Sequence, residues 1–135
     1  MRILILSSEF PPGPGGIGTH AFHIARELGR NGNTVMVITP QDYAAEDEIN
    51  AFNQALPFEL MRLKHQPMMI MEALNRISAV NKTIKTWKPD IVMTTGGRSS
   101  WIMAFSAWMH QVKWVAVGHG TEFGRPLSLE KRLTR

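Results

Sequence analysis

Cysteine is absent from the 135 residues. That excludes disulfides, thiolate metal sites and cysteine nucleophiles, and it makes a cytoplasmic location the default expectation. Also missing is any apolar run near the roughly 18 to 20 residues that a membrane span needs. The opening Met1-Arg2-Ile3-Leu4-Ile5-Leu6 has too short an apolar part for a signal peptide, and the Glu9-Phe10-Pro11-Pro12 that follows is no cleavage site. Histidines and carboxylates do not pair at ligand spacing, so no metal is expected. The chain has neither a tight Lys/Arg run nor a nucleic-acid module signature, and no nucleic-acid partner is expected. Internal repeats, linkers and low-complexity segments are missing too.

What is present is an ordinary globular composition, 44% hydrophobic, in a length that suits one domain. The net charge is +4, from 15 basic and 11 acidic residues. It suits an anionic ligand or an acidic surface, although the basic residues are spread along the chain.

Strand-like and helix-like runs alternate, the pattern of a parallel sheet covered by helices. Ile3 to Leu6 is a continuous apolar run of strand length, and Ile17, Ala21, Ile24, Ala25 and Leu28 recur at helical spacing after it. Thr34 to Thr39 reads as a second strand stopped by Pro40, and Tyr43 to Leu56 as a short helix or insertion. Phe58 to Leu63 reads as a third strand. Met68 to Trp87 is an amphipathic helix with Ile70, Leu74, Ile77, Val80, Ile84 and Trp87 on one stripe and basic residues opposite. Ile91 to Thr94 is a fourth strand. Ser99 is the expected N-cap of a helix over Trp101 to Met109, apolar nearly all round and so expected to be covered on more than one side. Trp101, Phe105 and Trp108 read as core, or as a face hidden by another domain. Val112 to Val117 is a fifth strand, and Pro126 to Arg135 begins like a helix.

The expected fold is thus α/β, a Rossmann-like open parallel sheet of five strands in the order 3-2-1-4-5 with helices on both faces. Ligands of such sheets bind beyond the carboxyl ends of the strands, where the strand order reverses. Three special loops fall at such ends: Ser7 to Gly18, Thr95 to Arg98, and Gly118 to Gly124. The first is the most telling. Gly15, Gly16 and Gly18 would let a phosphate approach bare amides at the start of a helix. Gly13-x-Gly15-x-x-Gly18 is formally the dinucleotide fingerprint, which would support an NAD-binding domain. However, six residues separate the strand from Gly13, and Thr39-Pro40-Gln41 stands where a ribose-binding acid belongs. The Walker lysine is absent as well, since Thr19-His20 follows Gly18.

Phe-Pro-Pro followed by Gly-Gly-Ile-Gly-Thr-His, then Ala-Arg-Glu-Leu-Gly-Arg-Asn-Gly-Asn-Thr-Val-Met-Val-Ile-Thr-Pro, resembles the start of a family 4 glycosyltransferase. Lys88-Pro89-Asp90-Ile91-Val92 and Gly118-His119-Gly120-Thr121-Glu122 agree with it. The resemblance implies one half of a GT-B architecture, the N-terminal, acceptor-side domain of a retaining enzyme. It implies that Gly15 and Gly16 approach the diphosphate of a nucleotide-sugar donor, with Gly18 opening the helix. It places His119 at the reaction centre, and it makes Glu9, His20, Thr95, Arg98, Thr121 and Glu122 candidate acceptor or cleft contacts. No cofactor is implied beyond the donor substrate. The implied partners are a nucleotide-sugar donor, a glycan or lipid-linked acceptor as in cell-envelope biosynthesis, and a C-terminal domain. Peripheral contact with the inner face of the cell membrane is compatible with that setting. The C-terminal domain is not in this chain, so the chain is expected to be a fragment that transfers no sugar alone. The competing expectation is a non-catalytic domain that binds a nucleotide or a protein partner.

Overall fold

A computed structural model of the protein describes residues 1–64 and 68–120. Five strands alternate with four helices: β1 (Arg2–Ser7), α1 (Gly16–Arg30), β2 (Thr34–Pro40), α2 (Glu46–Gln54), β3 (Glu59–Leu63), α3 (Met69–Trp87), β4 (Ile91–Thr95), α4 (Gly97–His110) and β5 (Trp114–Val117). All pairings are parallel, in the order β3-β2-β1-β4-β5. The apolar run of β1 is buried from Ile3 to Ser7 because this strand is central and covered on both faces. Its side chains alternate between two cores. Leu4 and Leu6 join Ile38, Val92, Val80, Ile84 and Met103 beneath α3 and α4. Ile3 and Ile5 join Val35, Val37, Phe10, Ala21 and Ala25 on the side of α1, where Phe52 of α2 also packs.

A parallel sheet carries every strand's carboxyl end to one edge. Here β1 is hydrogen-bonded to both β2 and β4, with Leu4 opposite Met36 and Val92. The chain therefore reverses direction of travel at β1, and the loops after β1 and β4 become neighbours at the crevice between them.

Two boundaries and one burial pattern depart from the sequence expectation. The helix α1 begins at Gly16 with Gly15 as its cap, so Gly18 lies inside the first turn and does not open the helix. The cap of α4 is Gly96, not Ser99. Gly96 holds a φ of 88°, which glycine adopts without a Cβ penalty, and Ser99 is carried into the helix as a buried residue. The third departure concerns burial on α4. Trp101 and Trp108 are 82% and 80% exposed, and Phe105 is exposed as well, so among the described residues they are not core, which leaves the other expectation, a face covered by another domain. The inward side of α4 is instead Ser99, Met103 and Ser106. The loop residues Thr121 and Glu122, and the helix expected from Pro126, lie outside the described residues.

Candidate functional site

The Ser8-to-Gly15 loop that leaves β1 is held at several points. Phe10 is buried and meets Phe22, Phe52 and Phe58 edge to face, with ring centroids 6.2, 6.5 and 6.3 Å away. The Thr95 hydroxyl donates to Ser7 Oγ at 2.8 Å, and the Ser7 hydroxyl donates to the Glu9 carbonyl at 2.6 Å. The Ser8 amide donates to the Thr95 carbonyl at 3.2 Å, tying the ends of β1 and β4 together. On the other flank the Gln41 side-chain amide donates to the Pro11 carbonyl at 2.6 Å and exchanges 2.8 Å bonds with Asn53. Gln41 is buried, and it stands at the end of β2 where a dinucleotide site would place its ribose acid. Its polar capacity is spent on the loop.

Each glycine of the loop has its own reason. At Gly18 an added Cβ would come within 2.9 Å of the Phe10 Cα and backbone nitrogen, so glycine is required there for the helix to seat against the loop. Gly15 holds a φ of 138°, and a Cβ there would run into the Glu9 carboxylate. Gly16 is different: a Cβ would meet nothing within 4 Å, and the residue is exposed. Neither packing nor dihedral strain accounts for a glycine at that position.

The starts of α1 and α4 lie side by side. A Cβ on Gly96 would strike Ser8 Oγ and come within 3.5 Å of Ile17 Cγ2, so the two first turns are in near contact. Both caps are glycines, which have no side chain to offer, and neither helix carries an acidic residue in its first turn. By contrast α2 begins with Glu46, Asp47 and Glu48, and α3 has Glu72 in its first turn. The first amides of a helix have no intrahelical acceptor and sit at the positive end of its dipole. Two such ends, both without the acidic complement found on α2 and α3, meet at the crevice. Arg98, in the first turn of α4, is exposed there.

His20, one turn into α1, meets His119, just after β5. Their rings are edge to face with centroids 5.0 Å apart. His20 Nδ1 and His119 Nε2 are both buried and lack a hydrogen-bond partner. Buried polar nitrogens of this kind usually find a partner, so each represents unsatisfied capacity within the same contact. The pair brings the loop after β5 to the glycine loop, as the 3-2-1-4-5 order requires. Thus Gly15, Gly16, His20, His119, Glu9 and Arg98 share one edge of the sheet, Gly18 lies beneath it, and Thr95 is fully buried with its hydroxyl given to Ser7. Among the described residues no group of His, Cys, Asp or Glu could hold a metal ion.

Sequence reasoning missed Gln41, Asn53 and Ser7, which hold the loop in place. A glutamine closing a strand resembles any loop residue, and its tie to Pro11 spans 30 positions. The only sign in the sequence was negative, the missing acid at the end of the second strand. A second clamp lies beside it. Arg62 donates to the Gln41 carbonyl at 2.8 Å and to Glu46 at 2.7 Å, and that hydrogen bond holds the Glu46 carboxyl below its usual value near 4.5. A groove of about 350 Å³ lined by Ser78, Asn81, Lys82, Lys85 and Thr86 runs along α3, remote from these loops in the chain.

Known proteins share this fold. The chain is 25% identical over 152 aligned positions to the glycogen synthase of Mycobacterium tuberculosis H37Rv, an alignment covering 93% of the chain and 35% of that protein. The chain therefore spans about a third of the length of the curated relatives it matches. Among solved structures, a glycosyltransferase from Rickettsia africae superposes with a TM-score of 0.65 at 16% identity, over 97% of this chain and 33% of that one. MurG of Acinetobacter baumannii gives 0.64 at 14%, over 87% and 34%. The UDP-GlcNAc 2-epimerase of Neisseria meningitidis bound to UDP-GlcNAc gives 0.59 at 16%, over 99% and 38%. These likenesses establish the Rossmann-like fold of one half of a GT-B architecture. A sequence model of Glycosyltransferase Family 4 matches residues 14–135, nearly the whole chain, and the chain belongs to that family.

Proposed function

We propose that this chain is the acceptor-side half of an enzyme that transfers a sugar from a nucleotide-diphosphate donor to an acceptor with retention of configuration. The observation that carries the reading is the meeting of two glycine-capped helix starts, neither with an acidic residue in its first turn, with the His20–His119 pair. During transfer the bond between the anomeric carbon and the diphosphate oxygen breaks, and negative charge collects on the departing diphosphate. The amides at Gly15 and Gly16, with the dipole of α1 behind them, meet that charge without any side-chain nucleophile. As the diphosphate leaves, the sugar carbon becomes positive, the acceptor oxygen bonds on the face from which it departed, and the acceptor's hydroxyl proton passes to the departing diphosphate oxygen. His119 supports that carbon through its carbonyl or ring. Glu9, His20 and Arg98 are the described contacts to an acceptor, and Thr95 holds the loop that carries Glu9. Thr121 and Glu122, outside the described residues, are assigned to the acceptor by the family resemblance alone.

No cofactor or metal is needed in this scheme. A second domain gripping the nucleotide completes the cleft, and the chain alone transfers no sugar. The test is kinetic. In the full-length enzyme, His119→Ala is expected to lower kcat by about a hundredfold or more, the scale of losing one electrostatic contact to the reacting centre. Unchanged turnover by that variant would remove His119 from the mechanism.

The competing reading, a non-catalytic nucleotide- or partner-binding domain, predicts donor binding without turnover by the full-length protein under any acceptor. An NAD-binding role is disfavoured by Gln41, whose amide is committed to Pro11 and Asn53. Fluorescence titration with NADH should accordingly show no saturable change.

A further inference from the structure

Gly13 takes no part in the chemistry proposed above. Its φ is not positive, so no dihedral demand calls for glycine there. A Cβ on Gly13 would instead lie 2.9 Å from Tyr43 Cβ, 3.2 Å from Cδ2 and 3.5 Å from Cγ. The Tyr43 side chain is therefore seated on the bare Cα of Gly13. The nearest atom is the Cβ of the tyrosine, next to its backbone, and cannot swing aside. This seat hides little of the ring, for Tyr43 is 67% exposed. Burial of that extent adds little stability, while a glycine leaves the unfolded chain freer than an alanine would. The arrangement fixes an aromatic ring in place and leaves it open to solvent.

The seat itself is held. Gln41, buried two residues before Tyr43, donates to the Pro11 carbonyl at 2.6 Å, so the segment bearing the ring is tied to the loop beneath it. Two residues along that loop, Gly15 makes room for the Glu9 carboxylate in the same way. The two glycines are at most about 7 Å apart along the chain. An aromatic ring and a carboxylate at this spacing suit a saccharide. The C–H face of a pyranose is drawn to the negative face of an aromatic ring, and sugar hydroxyls donate to carboxylates. Local charge narrows the class. Residues 41–50 hold Asp42, Glu46, Asp47 and Glu48 and no Lys, Arg or His, although the whole chain carries +4. All four carboxylates are exposed, and Glu46 pairs with Arg62. A surface of that sign repels uronates and phosphorylated or sulfated sugars, and it admits neutral ones.

We infer that Tyr43 is a stacking platform for a neutral pyranose unit of the acceptor, with Glu9 receiving hydroxyls of the same saccharide. The inference rests on the sugar-transfer reading above and adds to it the chemical class of the acceptor. Tyr43 is the sole tyrosine of the chain. Labelling the intact protein with meta-fluorotyrosine puts a ¹⁹F probe on the ring, assigned by the resonance that Tyr43→Phe removes. At least one of maltohexaose, cellohexaose and chitohexaose should shift that resonance saturably, whereas an oligogalacturonate and uridine should not. Tyr43→Ala should weaken binding of that sugar about tenfold at unchanged Tm, since the ring is already exposed, and Tyr43→Trp should restore it. Gly13→Ala should weaken it with the tyrosine still present, because the new methyl unseats the ring. Silence toward all three sugars, a response to the oligogalacturonate or uridine in their place, or full affinity in Tyr43→Ala would overturn the proposal. Following the Gly15 and Gly16 amides with a nucleoside diphosphate separates this failure from that of the reading beneath it. Diphosphate shifts there with Tyr43 silent toward every sugar would remove the platform alone, and silence at both would remove both.

Discussion

At the scale of single residues, three neighbouring glycines answer to three different constraints. Gly18 is fixed by the backbone of Phe10, Gly15 by its dihedral and by Glu9, and Gly16 by neither. Substitution separates them. Gly18→Ala should destabilise the fold, because the atom it meets is backbone and cannot swing aside, and thermal unfolding will show a lowered Tm. Gly15→Ala should cost about 1–3 kcal/mol through a strained φ. Gly16→Ala should leave the Tm nearly unchanged and yet weaken diphosphate binding, since the new methyl projects into the space a ligand would fill. A Gly16→Ala enzyme with unaltered donor KM and kcat would show that the open space at Gly16 has no functional meaning. The conformational demand at Gly15 and the packing demand at Gly18 are invisible in a sequence, where all three positions read alike as a phosphate-loop glycine.

At the scale of elements, the loop after β1 is positioned by polar ties from β2 and β4 as much as by its aromatic anchor. Gln41→Ala would strip the Pro11 carbonyl and Asn53 of their partner in a buried setting, at about 1–3 kcal/mol. It should also reduce activity by loosening the loop, whereas Asn53→Ala, which leaves the Gln41–Pro11 bond intact, should cost less. Equal losses from the two would show that Gln41 acts only on α2. The neighbouring Glu46–Arg62 clamp has a defined pH dependence. The folded-state carboxyl of Glu46 lies below its unfolded value near 4.5, so its contribution is complete above that value and disappears as pH falls through the folded one. Glu46 is fully exposed, so the contribution is small. Comparing the acid unfolding of Glu46→Gln with the parent, the two curves should separate above about pH 4.5 and converge below it.

The elements themselves were largely legible, because a buried parallel strand is a continuous apolar run and its flanking helices are striped. What the periodicity could not supply were the ends. The start of α4 looked like a serine cap, but a glycine three residues earlier could take the positive φ that closes the turn. Nor could hydrophobic pattern tell a covered face from an open one: Trp101 and Trp108 read as core or as a face hidden by another domain, and their exposure removes only the first.

At the scale of the whole molecule, strand order does most of the functional work. It sets three loops, far apart in the chain, at one edge, and the two histidines meet there across 99 positions of sequence. The loop convergence could be read from a topology, but the His20–His119 contact could not, since nothing in either local sequence refers to the other. The same topology segregates charge, leaving the α3–α4 side basic and apolar while the glycine loop lies at the sheet edge.

The central claim is that the adjoining starts of α1 and α4, with the histidine pair, hold a diphosphate. Titrating a ¹⁵N-labelled sample with a nucleoside diphosphate and following its backbone amides tests this directly. The account predicts saturable shifts at Gly15, Gly16 and Ile17, accompanied by the His20 and His119 ring signals, with Lys82 and Lys85 unmoved. Shifts confined to the lysine-bearing face of α3, or none at the glycine loop at saturating ligand, would contradict it.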